Sequence, residues 1–289
     1  MSSLRLIRRR IRSVESTKKM TRAMEMVAAS KLKKLQELLR QSDRYIGELA
    51  RILETLVREK PLAHPLLEKR PEIKSALVFL FTSDTGLCGS YNTNILERTN
   101  QFLKSEGVKP AIHFVAIGRH GAVFLKRTKQ KVSKELAVPK PPEIDETIRT
   151  VAEIAKDEFT NGAADQVLFL YTQAASFGSL KPQMAQLFPI ASDLKKDGEE
   201  KVIDYIIEPS LNQVLEIMIP EFIEAEVGQF VKHSLVAEQA SRMMAMRQAT
   251  DNAEEMIDSL TLIRNKARQA SITKELLEVV SGSRALQLK

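Results

Sequence analysis

A short glycine-containing segment after the first apolar run is the part of the sequence whose residue types come closest to supporting chemistry. It reads TSDTGLCGS, from Thr82 to Ser90. Glycines between a strand and a helix can aim backbone N–H groups at a phosphate. Neither the GxGxxG pattern of dinucleotide sites nor the Gly-Lys-Ser/Thr ending of a P-loop is present. The segment therefore favours a tight structural turn over a nucleotide site.

Cys88, within this segment, is the single cysteine of the chain, so an intrachain disulfide and a cysteine-cluster zinc site are excluded. It could act as a nucleophile, and distance in sequence does not exclude contact with a histidine in space. A lone cysteine near a strand end is more often a packed thiol. The four histidines are scattered and lack metal-ligand spacing, so we expect no metal and no cofactor. They are His64, His113, His120 and His233.

The positive charge of the chain is concentrated at its start. The net charge is +7, and residues 1–34 hold eleven Lys or Arg against two Glu, which gives +9 for that segment alone. A basic segment of this kind seeks an acidic partner, which could be nucleic acid, anionic lipid or an acidic protein surface.

The sequence predicts that this basic segment is part of a long helix over residues 1–60. No proline precedes Pro61, and Gly47 is the only glycine before it. One heptad frame runs through the segment, and twelve of its sixteen positions are apolar, which is typical of a coiled-coil seam. The positions are Leu4, Ile7, Ile11, Val14, Lys18, Thr21, Glu25, Ala28, Leu32, Leu35, Leu39, Ser42, Ile46, Leu49, Leu53 and Leu56.

Three consecutive positions of this seam, Lys18, Thr21 and Glu25, are polar and interrupt it. Apolar side chains beside them broaden the apolar face there. Local repacking or a device that sets the register would explain the interruption. A bearing surface, where the coil passes through the apolar collar of a partner, would explain it equally well. The neighbouring apolar residues are Met20, Met24, Met26 and Val27.

The C-terminal part predicts a second long helix. Pro209 marks its start and Pro220 a kink or restart. Two heptad helices on one chain, separated by a domain that can return the chain, predict an antiparallel pair. Its predicted seam is Met246, Ala249, Ala253, Met256, Leu260, Ile263, Ala267 and Ala270.

Between the helices, apolar runs of strand length alternate with helical patterns. This βαβα order predicts a small Rossmann-like α/β domain with a parallel or mixed sheet, inserted between the two arms of the coiled coil. The expected strands are Ser75 to Thr82, Ala111 to Gly118 and Gln166 to Thr172, and the expected helices are Asn92 to Lys104 and Glu143 to Phe159. The predicted division is 1–60 helix, 61–74 linker, 75–191 α/β domain, 192–208 linker and 209–289 helix.

Three segments resemble the γ subunit family of F-type ATP synthases. The first, Ile7 to Leu35, reads IRRRIRSVESTKKMTRAMEMVAASKLKKL, and the second, Ser83 to Asn92, reads SDTGLCGSYN. The third lies between Ser234 and Leu286 and includes AEQASRMMAMRQATDNAEEMIDSLTLIRNKARQASITKELLEVVSG. The match reaches both ends and the middle of the chain.

The resemblance implies a central rotor shaft that couples proton flow through the membrane c ring to ATP synthesis or hydrolysis. Its implied partners are the hexamer of α and β subunits, the ε subunit and the c ring, with no nucleic acid. Catalysis is expected on the β subunits, with no catalytic residue on this chain. The implied location is peripheral, at the cytoplasmic face of a bacterial plasma membrane.

The resemblance also implies contacts for particular residues. Arg8, Arg9, Arg10 and Met24 are expected to pass acidic segments of β, and Arg268 and Gln269 to meet a loop of the hexamer. Tyr205 and Glu208 are expected to touch the c ring. The loop near partner subunits holds Asp84, Gly86, Cys88 and Gly89. Thr85 and Ser90 depart from the family, which more often has Arg and Gly there.

Two other classes of protein compete with this interpretation. A basic coiled-coil protein that binds nucleic acid would explain the charge, although not the heptads at both ends or the low aromatic content. A small α/β enzyme with a helical arm would use the Gly86 to Gly89 loop to bind phosphate.

Overall fold

The computed structural model describes residues 2–59, 65–68, 70–105, 110–176, 179–190, 207–208 and 210–287. By packing, the chain divides into unit 1, Met1–Ala28 with Arg242–Lys289, and unit 2, Ala29–Ser241. The helices are α1 (Ser2–Glu59), α2 (Tyr91–Ser105), α3 (Arg119–Arg127), α4 (Ile144–Thr160) and α5 (Leu211–Gln287). The strands are β1 (Ser75–Phe81), β2 (Ala111–Ile117), β3 (Lys131–Leu136), β4 (Gln166–Ser176) and β5 (Ser179–Phe188).

The predicted heptad frame of α1 is confirmed. All sixteen of its positions are buried or half-buried, and the polar positions Lys18, Thr21 and Glu25 are among them. The exposed fraction is 1% at Ala28 and 0% at Leu53. The spacing of the frame thus identified the buried stripe even where the residue type is polar, because helix geometry decides which positions share a face.

Helix α5 begins at Leu211 and continues through Pro220, which lies inside it. Of the two expectations at Pro220, the restart is therefore wrong, and the kink stays a prediction. A proline removes one backbone N–H donor from a helix interior. Buried apolar side chains on both sides of it, at Leu215, Ile219 and Phe222, anchor the helix across this position.

The predicted seam of α5 in unit 1 is confirmed at Met246, Ala249, Ala253, Leu260 and Ala267 and is wrong at Met256, Ile263 and Ala270. Met246, Ala253 and Leu260 are buried, whereas Met256 and Ile263 are 45% and 49% exposed. One residue after the three wrong positions, Ile257, Arg264 and Ser271 are half-buried, and Thr250 is buried beside the half-buried Ala249. The three wrongly predicted residues are apolar, whereas two of the half-buried residues that follow them are polar. A search for apolar residues therefore chose the exposed neighbour.

Within unit 1 the two helices run antiparallel. The hydroxyl oxygens of Thr21 and Thr250 lie 2.8 Å apart, and the Lys18 ammonium lies 2.8 Å from the Glu254 carboxylate. As the chain advances along α1, its partner on α5 moves back. The antiparallel coiled coil and the inserted α/β domain are therefore confirmed.

Unit 2 contains a five-stranded sheet in the order β3-β2-β1-β4-β5. Strands β1 to β4 pair in parallel, and β5 pairs antiparallel with β4. The three predicted strands are confirmed, whereas both edge strands were missed. Strand β3 reads KVSKEL, with the charges that protect an edge, and β5 contains Pro182, so neither resembles a buried strand.

Alternate residues of the central strands fill two different layers of unit 2. Val78 and Leu80 belong to an apolar cluster that includes Ile95 of α2 and Leu125 of α3. On the other face the Phe169 ring stacks on Phe79, with centroids 4.5 Å apart, and lies 4.7 Å from the Phe230 ring of α5. The sheet is thus covered on both faces, as α/β packing requires.

The predicted segment boundaries were placed at the ends of the expected helices, whereas units 1 and 2 are defined by packing. These are two different divisions of the chain, so the predicted boundaries stay a prediction. The 192–208 linker falls outside the described residues except at Ile207 and Glu208. In the described part of the chain, no helix has the length and apolar character needed to cross a membrane.

Candidate functional site

The loop after β1 lies at the carboxyl edge of the sheet, where doubly wound α/β proteins bind their ligands. Its Asp84 carboxylate turns into the fold. One oxygen accepts a hydrogen bond from the Arg119 amide at 2.9 Å and the other from the Val138 amide at 3.0 Å. The side chain therefore ties this loop to the start of α3 and to the segment after β3.

The other amides at the start of α3 are also engaged by this loop. The Gly121 N–H donates to the Thr82 hydroxyl at 2.8 Å, and the His120 N–H donates to the Ser83 carbonyl at 3.2 Å. Gly118 has a φ of +97°, and a Cβ there would lie 2.2 Å from the Thr82 carbonyl oxygen. The amides that would bind a phosphate at this helix thus already have partners within the chain.

The space beside the ends of β1 and β2 is small as well. The cavity between the ends of β1 and β2 and helix α5 measures about 10 Å³. Small-molecule sites typically measure about 300 to 1,000 Å³. Among the residues that line the cavity are Thr82, Val138, Ser234 and Leu235. Helix α5 therefore covers the edge that a nucleotide would need.

Cys88 is 2% exposed and packs with Tyr91 and Ala237. Its sulfur accepts a hydrogen bond from the side-chain amide Nδ2 of Asn92 at 3.3 Å, and its carbonyl accepts one from the Ser241 hydroxyl at 2.6 Å. These contacts agree with the packed thiol that the sequence favours. Cys88 and Asp84 hold the loop, whereas Gly86 and Gly89 lie on its exposed side.

Among the described residues, no three of His, Cys, Asp and Glu lie close enough to hold a metal ion. His113 instead lies 3.4 Å from the Glu158 carboxylate, and the His233 ring lies 6.2 Å from that of Tyr171. Burial, with a smaller effect of Glu226, raises the pKa of Tyr171 to about 12. This tyrosine stays protonated, as a core residue would.

The basic residues expected to meet partners lie on the surface of unit 1. Arg8, Arg9 and Arg10 are exposed on α1, and Arg268 and Gln269 are exposed on α5. Continuing the register of the paired helices, Arg8 is opposite residue 263, which is about 8 Å along the axis from Arg268. Unit 1 thus brings these residues to neighbouring levels of one helix pair.

Unit 1 also exposes many large apolar side chains. On α1, the exposed fraction is 68% at Leu6 and 63% at Met20. Exposed apolar surface on this scale marks an interaction site. The other exposed apolar residues of the unit are Met26, Val27, Met244, Met256, Leu262, Ile263, Ile272, Leu276, Leu277, Val279 and Val280.

The polar interruption and the broad apolar face therefore belong to different sides of α1. Thr21 and Lys18 turn towards α5, whereas Met20 and Met26 turn outwards and Met24 is half-buried. The hydrogen bond and the charge of Lys18, with a smaller effect of Arg22, lower the pKa of Glu254. Sequence reasoning missed Thr250 and Glu254 as partners because neither is apolar.

The two residues expected at the c ring are Tyr205 and Glu208. Tyr205 lies outside the described residues, and Glu208 is exposed.

The family model and the related sequences match nearly the whole chain. A model of the family described as ATP synthase matches residues 3–286. The ATP synthase gamma chain of Dehalococcoides mccartyi is 40% identical over 290 residues, which are 99% of this chain and 100% of the relative. That of Cupriavidus necator is 39% identical over 293 residues, again 99% of this chain and 100% of the relative.

Solved structures share the fold. One chain comes from the central stalk and c ring of the Tetrahymena thermophila mitochondrial ATP synthase. It has a TM-score of 0.58 and 24% identity, and the match covers 80% of this chain and 99% of that one. Another comes from the Euglena gracilis mitochondrial ATP synthase in rotational state 3. It has a TM-score of 0.66 and 16% identity, and the match covers 99% of this chain and 95% of that one.

Proposed function

This chain belongs to the ATP synthase family of gamma chains, and we propose that it is the central rotor shaft of an F-type ATP synthase. It couples proton flow through a membrane c ring to ATP synthesis or hydrolysis on a hexamer of α and β subunits. The observation that carries the proposal is the surface of unit 1, where a two-helix pair exposes both a basic segment and many large apolar side chains.

Each part of that surface suits a shaft held by partners. Exposed apolar side chains such as Leu262 and Leu276 need a cover, and an apolar sleeve supplies one without fixing a single angle. The arginines Arg8, Arg9 and Arg10 favour acidic segments of β, where the attraction depends on the angle of rotation. In the same way we assign Met24, Arg268 and Gln269 to contacts with the hexamer.

The chemistry of ATP is assigned to the β subunits, and none to this chain. The filled carboxyl edge of the sheet supports that assignment, because the Asp84 carboxylate and the cover of α5 occupy the place of a ligand. We assign Gly86 and Gly89 to the side of the loop that faces partner subunits, with Asp84 and Cys88 holding it from within.

The base of the shaft is assigned to the ε subunit and the c ring, with Tyr205 and Glu208 at the c ring. The chain is then a peripheral part of the membrane complex, at the cytoplasmic face of a bacterial plasma membrane. The bacterial sources of its 40% identical relatives support this location.

The proposal is tested by expressing the chain with α and β subunits and weighing the purified complex by native mass spectrometry. We expect one copy per three α and three β subunits. In a matched pair of variants, Leu276→Gln with Leu277→Gln should weaken assembly, whereas Val123→Gln, on the surface of unit 2, should not.

A chain that folds by circular dichroism and yet fails to assemble with α and β would overturn the rotor role. Specific binding of a nucleotide to the free chain, measured by calorimetry, would support the enzyme alternative instead. Salt-dependent binding of DNA at micromolar affinity would support the nucleic-acid alternative.

A further inference from the structure

The polar residues in the seam of unit 1 form one layer that joins the two helices. Thr21 is 9% and Thr250 is 3% exposed, and their hydroxyl oxygens lie 2.8 Å apart. The Lys18 ammonium and the Glu254 carboxylate lie 2.8 Å apart, one turn further along. This polar layer (Lys18, Thr21, Thr250 and Glu254) lies in a seam that is otherwise mainly apolar.

The hydroxyl groups of the two threonines can hydrogen-bond to each other and to backbone carbonyls of their own helices at the same time. Thr250 donates to the Met246 carbonyl at 2.8 Å and can then accept a hydrogen bond from Thr21. Alternatively Thr21 donates to the Lys18 carbonyl at 3.1 Å and accepts from Thr250. Each hydroxyl has one proton, and in both arrangements every proton has an acceptor. A single Thr therefore does not need the other in order to be buried, but only the pair forms the bond between the helices.

A heptad seam leaves the register of two helices open, because a shift by seven residues again places seam positions opposite seam positions. Applied here, such a shift places Thr21 opposite Ile257 or Met243 and Thr250 opposite Ala28 or Val14. All four of these partners are apolar. Only the observed register brings the two hydroxyl groups together.

The charges act against the shifted registers in both directions. A shift one way places Lys18 opposite Arg247, and a shift the other way places Glu254 opposite Glu25. Like charges that face each other destabilise a helix pair, and charged positions beside the seam set its register. Of the three registers, only the observed one places Lys18 and Glu254 opposite each other.

We propose that the polar layer of Lys18, Thr21, Thr250 and Glu254 sets the register of the antiparallel helix pair, and that it does so chiefly by disfavouring shifts of one heptad. A buried polar layer of this kind gives specificity at some cost in stability. Pairing within unit 1 does not depend on the rotor role, so the two proposals can fail separately.

The register can be measured in the full chain by electron paramagnetic resonance between two spin labels. Ser16→Cys and Ser281→Cys provide exposed sites, while the native Cys88 is buried. From the observed register these sites lie about 40 Å apart along the axis. A shift of one heptad changes that separation by about 10 Å, so the registers give separate distances.

The deciding variant exchanges the charges, Lys18→Glu with Glu254→Lys. The exchanged residues still form an ion pair in the observed register. If the layer acted only through that ion pair, the distance between the two spin labels would not change. In one shifted register the new carboxylate at position 18 lies opposite Arg247, and in the other the new ammonium at position 254 lies opposite Glu25, so both contacts become attractive. We therefore expect a second distance, about 10 Å shorter or longer than the first. Its share should grow when Thr21→Val and Thr250→Val are added.

The matched control is Thr17→Val with Thr273→Val, two exposed threonines that each bond to the carbonyl four residues before. It should keep one distance, and Thr21→Ser with Thr250→Ser should keep it too, because the hydroxyls remain. One unchanged distance in the charge exchange, alone and combined with the valines, would overturn the proposal. Loss of helical circular dichroism in these variants would also overturn it, because the layer would then be required for folding.

Discussion

Units 1 and 2 use apolar residues in opposite ways. Unit 2 encloses the phenylalanines that the structure describes, and Phe79, Phe114 and Phe169 are all completely buried in layers on the two faces of the sheet. Unit 1 buries only a stripe, which includes Ile11 and Leu260, and leaves many of its large apolar residues exposed. Two helices can cover only one face of each other, whereas a sheet with helices on both sides encloses a core.

This difference predicts whether a substitution changes the folding of the chain or its association with partners. In unit 2 a change should act on folding, because the contacts are made within the chain. On the outward surface of unit 1 it should act on association with partners. The tyrosines that the structure describes, at positions 45, 91 and 171, all belong to unit 2, so their fluorescence reports the unfolding of that unit.

The largest expected contrast comes from one substitution made in both units. Leu170→Ala, at a position with 0% exposure, should lower the free energy of unfolding of unit 2 by about 2 to 5 kcal/mol. Leu262→Ala, where the side chain is 63% exposed, should change stability by less than about 0.5 kcal/mol. Urea unfolding followed by tyrosine fluorescence and by circular dichroism measures both. Equal losses would remove the distinction between the units.

At two glycines of unit 2, substitution by alanine should change the free energy of unfolding in opposite directions. Gly118→Ala places a Cβ 2.2 Å from the Thr82 carbonyl oxygen at a φ of +97°, and should cost about 2 to 3 kcal/mol. In α5, Gly228→Ala meets its nearest neighbour, Ile148, at 3.5 Å, and should stabilise the helix by up to about 1 kcal/mol. The shift of the urea midpoint gives both signs, and destabilisation by Gly228→Ala would contradict the open packing there.

Asp165 links the entry to β1 with the turn before β4. Its carboxylate accepts hydrogen bonds from the Lys74 amide at 2.9 Å and the Ser75 amide at 3.0 Å, and lies 3.4 Å from the Arg70 guanidinium. Burial alone would raise the pKa of Asp165. Those hydrogen bonds and the Arg70 charge outweigh the burial and lower it. Asp165→Asn should therefore cost about 1 to 2 kcal/mol at neutral pH.

The pH dependence of this loss follows from the lowered pKa. The carboxylate stabilises the fold above about pH 4, the ordinary pKa of an aspartate, and the contribution is lost as the pH falls through the lower folded pKa. The difference between wild type and Asp165→Asn should thus shrink on acidification below about pH 4. Asp251→Asn, at an exposed site in unit 1, serves as the control and should show no such trend. A difference that does not depend on pH would argue against the ionised carboxylate.

The smallest effect on folding is expected from the basic surface of unit 1. Changing Arg8, Arg9 and Arg10 together to Gln should alter stability by less than about 0.5 kcal/mol. It should slow association with the α and β subunits by about tenfold at low salt, with a smaller effect at high salt. The matched variant changes Arg127, Lys131 and Lys134 in unit 2 to Gln. If both variants slow association equally, only net charge matters and not its place in unit 1.

Periodicity in the sequence predicted more of the helices than of the sheet. Every predicted seam position of α1 is buried or half-buried, because helical geometry repeats whatever the residue type. The strands β1, β2 and β4 were found from their apolar runs. Strand β3 is charged and β5 contains Pro182, and each exists because a neighbouring strand offers hydrogen bonds, which local sequence does not report.

The sequence by itself determined that α1 and the C-terminal part of α5 pair through heptads, and that the first 34 residues carry the positive charge. Only the tertiary structure decided which residues meet. It placed Thr250 rather than Ala249 opposite Thr21, and it turned the Asp84 carboxylate onto the amides of Arg119 and Val138. Periodicity defines a face to within one residue, whereas a contact depends on the position of the partner, and that is set only when both elements pack.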